Sequence, residues 1–135
     1  MSKRILLVEE TVDDRTVFSS YLEFVGAEVL VAEDAEETVA IAAEHRPELI
    51  LIGMGGTGVD GWAVMRRLQI NPATSSIPVV ALMETDVSSE RLDAAGFCGY
   101  LWKPIAPFQL LEEVERCIGS IGEPRHSSIE AFEGK

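Results

Sequence analysis

Apolar and polar residues alternate in blocks along the chain, and the blocks predict five strands and five helices. Short, wholly apolar runs are typical of strands buried on both faces. Between these runs, apolar residues recur three or four positions apart, as on one face of a helix. The predicted strands are residues 5–8, 28–32, 49–52, 78–82 and 99–102. The predicted helices are residues 13–25, 35–45, 61–70, one from Ser88 or Ser89 to Gly96, and one from Pro107 to about 118.

Residues with capping chemistry stand at several of these boundaries. Asp34 and Asp60 each precede a helical run and are predicted to cap its first turn. Pro107 suits the first position of the last helix. Gly26 and Gly96 end the first and fourth helices. The strict alternation of strands and helices predicts an α/β fold with a parallel sheet covered on both faces.

Composition and charge limit the classes of function. The chain has 135 residues, 47% of them hydrophobic, which suits one folded domain. No apolar run approaches the roughly 20 residues of a membrane span, and we expect a cytoplasmic protein that does not bind membranes. The net charge of −12, without a basic cluster, argues against nucleic acid as a partner. Cys98 and Cys117 form no disulfide framework or metal motif, so we expect small buried or half-buried thiols.

Three segments carry a resemblance to a known family: Ile5-Leu6-Leu7-Val8-Glu9-Glu10, Pro47-Glu48-Leu49-Ile50-Leu51-Ile52-Gly53 and Tyr100-Leu101-Trp102-Lys103-Pro104. Together, from residue 3 to about 119, the chain resembles the receiver domain of two-component response regulators. The resemblance implies a doubly wound five-stranded parallel sheet of flavodoxin-like order 2-1-3-4-5, of which chemotaxis receivers are an example. We predict a receiver-like domain over residues 1–119 and a flexible tail over residues 120–135. Ligands of such folds bind at the carboxyl ends of the strands.

The resemblance also assigns roles, and the sequence departs from two of them. Gly53 stands where the family has the aspartate that accepts a phosphoryl group. Met83 stands where a Ser or Thr hydroxyl contacts that group, and a thioether donates no hydrogen bond. Tyr100 matches an aromatic residue that moves on activation. Lys103-Pro104 matches the lysine that pairs with the phosphoryl group and a peptide bond that is often cis.

Glu9 and Glu10 match the family's acidic pair, which helps to hold a divalent cation. Mg²⁺ is a possible cofactor on these two residues, because hard cations prefer carboxylate oxygens. The longer Glu10 replaces the usual aspartate. We hypothesise that Glu10 reaches into the volume vacated at Gly53 and forms an ion pair with Lys103 in place of the metal.

These departures predict an atypical receiver that acts by protein–protein contact without phosphoryl transfer, and not an enzyme. The predicted partners are a histidine kinase, an output protein or a second copy. They would bind the face made by the fourth helix, fifth strand and fifth helix. This interpretation assumes that no other acid fills the place beside Gly53.

Three alternatives remain open. The first is a phosphorelay receiver that uses Asp60 or Glu10 as its acceptor. The second is a nucleotide or metal sensor, because residues 53–58 satisfy G-x-G-x-x-G between a strand and a helix. The third is an engineered loss of the aspartate at position 53, against which Met83 argues.

Overall fold

The protein is a three-layered α/β domain built on one parallel sheet. The structure is a computed structural model that describes residues 3–55 and 60–121. The sheet has five strands in the order β2-β1-β3-β4-β5, as predicted. The strands are β1 (Arg4–Val8), β2 (Glu28–Ala32), β3 (Leu49–Met54), β4 (Val79–Met83) and β5 (Gly99–Trp102). The helices are α1 (Val12–Phe24), α2 (Ala35–His45), α3 (Gly61–Ile70), α4 (Ser89–Ala94) and α5 (Pro107–Ile118).

Two apolar cores lie on opposite faces of the sheet. Residues of α1 and α5 pack on one face, and residues of α2, α3 and α4 pack on the other. The central strands are buried on both faces because their alternate residues enter the two cores in turn, as Leu51 and Ile52 do. This explains why the central strands are wholly apolar runs in the sequence.

The capping residues act where they were predicted. The Asp34 carboxylate accepts a hydrogen bond from the Glu37 amide at 2.7 Å. The Asp60 carboxylate accepts from the amides of Trp62 and Ala63 at 3.1 and 3.3 Å. These bonds satisfy amide groups that a helix leaves unpaired in its first turn, and they fix where α2 and α3 begin.

Strands β3 and β4 are longer at their carboxyl ends than the sequence indicated. β3 continues through Gly53 to Met54, and β4 continues to Met83. Gly53 therefore lies inside the sheet, in register with Leu82, and Met54 is in register with Met83. In the same way, Lys103 extends the β4–β5 pairing, because its amide donates to the Met83 carbonyl at 2.8 Å.

Cys98 and Cys117 are joined by a disulfide, so the prediction of free thiols was wrong. Cys98 directly precedes β5, and Cys117 lies in the last turn of α5. α5 runs back along the sheet after β5, so its end returns to the start of that strand. The Cα atoms are 6.4 Å apart, a normal separation for a disulfide. A spacing of 19 residues does not reveal this return by itself.

The packed domain extends slightly beyond the predicted boundary at residue 119. Ile121 is buried in the core beneath α1 and α5, and its amide donates to the Glu115 carboxylate at 3.2 Å. Residues 122–135, the rest of the predicted tail, lie outside the described residues. Within the described ranges, no helix combines the length and the hydrophobicity that a membrane span requires.

A candidate site at the carboxyl ends of the strands

Lys103 lies at the centre of an acidic cluster where the strands end. Its Nζ atom is 2.9 Å from Glu9 Oε1, 2.8 Å from Asp14 Oδ2 and 3.0 Å from Glu84 Oε2. Glu9 follows β1, Asp14 lies in the first turn of α1, and Glu84 follows β4. The parallel sheet brings these segments to one edge, and the cluster is a direct result of that topology.

The carboxylate of Glu9 occupies the space beside Gly53. A Cβ atom added to Gly53 would lie 2.7 Å from Glu9 Oε1 and 3.0 Å from its Cδ, closer than such atoms pack. The register explains this, because Val8 is paired with Ile52 and the next residues along the two strands are Glu9 and Gly53. Another acid thus fills the place that we expected to be empty of carboxylates, so the assumption on which the protein-contact interpretation rested was wrong. Whether Glu9 can act as an acceptor has to be judged from its burial and its contacts.

Glu9 is buried and has contacts at both oxygens. Only 1% of its side chain is exposed. Oε1 faces the Lys103 ammonium, and Oε2 accepts a hydrogen bond from the Thr11 amide at 3.0 Å. A buried carboxylate requires such compensation, because burial without a partner is costly. Glu9 and Lys103 therefore form a neutralised internal ion pair at the end of the central strands.

The acidic neighbours of Lys103 keep its side chain protonated. Burial acts to lower the pKa of Lys103, but its contacts with Asp14, Glu9 and Glu84 outweigh burial and raise the pKa well above its ordinary value. The side chain is 11% exposed, so water screens these contacts only in part. Lys103 is a permanent cation at any physiological pH.

The volume beside Gly53 is filled by Glu9 and not, as hypothesised, by Glu10. The acids that contact Lys103 are Glu9, Asp14 and Glu84, whereas Glu10 is exposed. The longer side chain at position 10 is therefore not what fills the vacated volume. Asp14 was missed by the sequence reasoning, although its position one turn into a helix that follows β1 was a usable signal.

The residues present do not fit a divalent cation. The ammonium of Lys103 stands among the three carboxylates, where a cation would need to bind. Glu9 Oε2 accepts a hydrogen bond from the Thr11 amide, and Oε1, which has no hydrogen-bond partner among the described residues, faces the Lys103 ammonium at 2.9 Å. Within residues 3–55 and 60–121, no group of three or more acids, histidines or cysteines is arranged to hold a metal. The acid pair Glu9 and Glu10 is divided between a buried and an exposed position.

Met83, Tyr100 and Trp102 lie on the α4 side of the same edge. Met83 is buried at the end of β4 and supplies bulk without a hydroxyl. Tyr100 is half-buried and packs edge-to-face on Trp102, with ring centroids 5.5 Å apart. Trp102 is 41% exposed. The two rings therefore extend from the half-buried position of Tyr100 to the exposed surface of the protein at Trp102.

The glycine-rich segment is described only in part. Gly55 has a φ of +99°, a conformation that favours glycine, and its position close to Glu84 leaves little room for a side chain. Residues 56–59 lie outside the described residues, so the proposed G-x-G-x-x-G loop is not described as a whole. Asp60, one alternative acceptor, is engaged as the cap of α3.

Comparison with known proteins identifies the class. Residues 5–115 match the family described as "Response regulator receiver domain". The chain belongs to this family.

Individual relatives agree with this assignment. The chain is 33% identical over 116 residues to "Response regulator PleD" of Caulobacter vibrioides, covering 84% of this chain and 26% of PleD. It is 29% identical over 113 residues to "Protein PilH" of Pseudomonas aeruginosa, covering 82% of this chain and 93% of PilH. The chain thus spans about a quarter of the length of PleD but nearly all of PilH.

A solved structure shows the same fold. The receiver domain of sensor histidine kinase PA1611 from Pseudomonas aeruginosa, which holds a coordinated magnesium ion in its active-site cleft, has a TM-score of 0.78 and 28% identity. The match covers 89% of this chain and 100% of that domain.

Proposed function

We propose that this receiver domain signals by protein contact and does not accept a phosphoryl group. The observation that carries the proposal is the placement of Glu9, whose carboxylate occupies the space beside Gly53 and pairs with Lys103. In the family, as the sequence resemblance implies, an aspartate at position 53 and a divalent cation would fill this region. Here an internal carboxylate and an internal ammonium fill it.

Burial argues that Glu9 is not itself the acceptor. A carboxylate attacks phosphorus only if the donor can approach it in line, and 1% exposure of the Glu9 side chain leaves no such approach. Its ion pair with Lys103 and its bond to the Thr11 amide further lower its availability as a nucleophile. Met83 offers no hydroxyl to orient a phosphoryl oxygen.

The face of α4, β5 and α5 is the proposed contact surface. Trp102 and Phe108 are 41% and 46% exposed, and aromatic residues of this kind are common anchors in protein interfaces. The proposed partners are a histidine kinase, an output protein or a second copy of the chain. The Glu9–Lys103 ion pair forms without phosphorylation. We therefore expect this face to keep one conformation, and partner binding would depend on that conformation.

The proposal is tested by exposing the protein to a small phosphodonor. Purified protein is incubated with acetyl phosphate and Mg²⁺, and its intact mass is measured beside a receiver that carries the acceptor aspartate. We expect the control to gain about 80 Da, the mass of one phosphoryl group, and this protein to gain nothing. A stoichiometric adduct on this protein would refute the proposal.

One observation favours a second candidate, in which Glu9 is the acceptor. Its carboxylate lies beside the lysine that, in the family, pairs with the phosphoryl group. This candidate requires Glu9 to turn outward. It predicts an acid-stable but hydroxylamine-sensitive adduct that disappears in Glu9→Gln and persists in Asp60→Asn. The first proposal predicts no adduct in any of the three proteins.

A further inference from the structure

We propose that the Cys98–Cys117 disulfide is a reversible redox site that controls how the end of α5 is attached to the sheet. This proposal is independent of phosphorylation and of the site at Lys103. It begins from the position of the bond, which joins the residue before β5 to the last turn of α5. Both belong to the surface that we propose for partner binding.

The disulfide is partly exposed. Cys98 and Cys117 are both half-buried, and Cys117 also packs against the core on the α1 and α5 face. Partly exposed disulfides are more readily exchanged than those sealed in a domain interior. The neighbouring Arg116 is exposed.

Arg116 supplies a positive charge at the sulfur. Its Nη2 atom is 3.6 Å from Cys117 Sγ, and the same nitrogen donates to the Cys98 carbonyl at 2.8 Å and to Glu113 Oε2 at 2.6 Å. A cation beside a sulfur stabilises the thiolate that forms when the disulfide opens. A thiolate stabilised in this way is also the better leaving group. The geometry therefore assigns Cys117 as the departing sulfur.

A dithiol can reduce the Cys98–Cys117 bond by thiol–disulfide exchange in two steps. A thiolate of the dithiol attacks Cys98 Sγ, and the Cys98–Cys117 bond breaks to leave the Cys117 thiolate beside Arg116. The second thiol of the reductant then attacks the mixed disulfide and releases the Cys98 thiolate. The reductant becomes a cyclic disulfide, the protein gains two electrons, and protons from the two reductant thiols reach solvent or the new protein thiolates.

Opening the bond removes the covalent link between the last turn of α5 and the start of β5. At this junction Arg116 still donates to the Cys98 carbonyl, an exposed and therefore weak contact, while Ile118 and Ile121 keep the end of the helix packed on the core and Lys3 Nζ donates to the Ile118 carbonyl. Glu113 and Arg116 also cover Gly99, at the start of β5, so closely that a side chain at position 99 would displace them. Reduction therefore lets the last turn of α5 and the first residue of β5 separate more often, while the apolar contacts of α5 keep the helix on the sheet.

The redox state is measured in glutathione buffers. The protein is equilibrated at increasing ratios of glutathione to glutathione disulfide, quenched in acid and alkylated. Its intact mass is then measured by mass spectrometry. We expect the fraction with two alkylated thiols to rise from none to all within the range of these buffers. A protein that stays fully disulfide-bonded in the most reducing buffer, or fully reduced in the most oxidising buffer, would overturn the proposal.

The assigned roles are tested by rate and by hydrogen exchange. Arg116→Gln should slow reduction by dithiothreitol about fivefold, because the leaving thiolate loses its cation, whereas Arg67→Gln on α3 is a matched control that should leave the rate unchanged. Amide exchange should rise on reduction at residues 115–119 and 99, and not at residues 108–110. An unchanged or faster rate in Arg116→Gln, or unaltered exchange at these positions, would contradict the assignment. Cys98→Ser/Cys117→Ser, which cannot form the bond, should match the reduced exchange pattern without dithiol.

Discussion

Replacing Gly53 by alanine should expose the dependence of the site on a glycine at this position. The new Cβ would lie 2.7 Å from Glu9 Oε1 and 3.2 Å from Oε2, so the carboxylate must move. Glu9 has little freedom to do so, because Lys103 and the Thr11 amide hold it in place within the buried edge of the sheet. The backbone is not the obstacle, since Gly53 is not among the residues with positive φ.

The magnitude follows from two opposing effects. Alanine reduces the freedom of the unfolded chain and should stabilise the protein by about 0.4–1 kcal/mol where it fits. Displacing Glu9 weakens its ion pair with Lys103 and the hydrogen bond that its carboxylate accepts from the Thr11 amide, and a hydrogen bond to a charged group contributes about 1.5–3 kcal/mol. We therefore expect Gly53→Ala to lower the free energy of unfolding by about 1–2 kcal/mol. In a Glu9→Ala background the same substitution should be neutral or slightly stabilising, a coupling of about 1–3 kcal/mol between the two positions.

The assay is a double-mutant cycle by urea denaturation, with the slope of each transition checked for two-state behaviour. Glu9→Gln serves as the control, because it removes the charge but keeps the bulk, and Gly53→Ala should remain destabilising in that background. If the effects of Gly53→Ala and Glu9→Ala simply add, within about 0.5 kcal/mol, Glu9 does not occupy the space beside Gly53 and the reasoning fails.

Three further predictions concern the same edge of the domain. Lys103→Met should lower the free energy of unfolding by about 2–4 kcal/mol. This is less than the loss expected for a fully buried ion pair, because Asp14 and Glu84 are partly exposed. A loss below about 0.5 kcal/mol would show that the cluster contributes little to stability. Because the pKa of Lys103 is raised, its stabilisation is complete below its ordinary pKa of about 10.4 and is lost only at higher pH. The difference in midpoint between wild type and Lys103→Met should thus not shrink between about pH 6 and about pH 9, and a loss of the difference as the pH rises through that window would contradict the assignment. Asp60→Ala should cost about 1 kcal/mol through loss of the α3 cap while Asp60→Asn costs little, and equal losses in the two variants would exclude capping as the reason.

The fold was predictable because its local signals agree with its packing. The central strands are apolar at every position since both faces are covered, and Asp34 and Asp60 mark helix starts that the structure reproduces. The place of Lys103 at an acidic edge followed from the resemblance and from the common end of parallel strands. These inferences need only the order of elements and the direction of the chain.

The predictions that were wrong depend on the register of the strands and on how the chain folds back along the sheet. Glu9 and Glu10 are adjacent in sequence, and only the pairing of Val8 with Ile52 shows that Glu9 is the one beside Gly53. The disulfide was missed because it depends on how far α5 runs back along β5. Asp14 and Glu84 reach Lys103 from α1 and from the end of β4, and the sequence indicates that these segments meet at one edge but not which of their side chains touch.

The central claim is most directly tested by a high-resolution crystal structure of the protein grown with Mg²⁺ in excess. We predict that Glu9 Oε1 lies within hydrogen-bonding distance of Lys103 Nζ, with its carboxylate against Gly53 and no ordered metal between the strand ends. An ordered Mg²⁺ ligated by Glu9, with Lys103 turned away, would contradict the account.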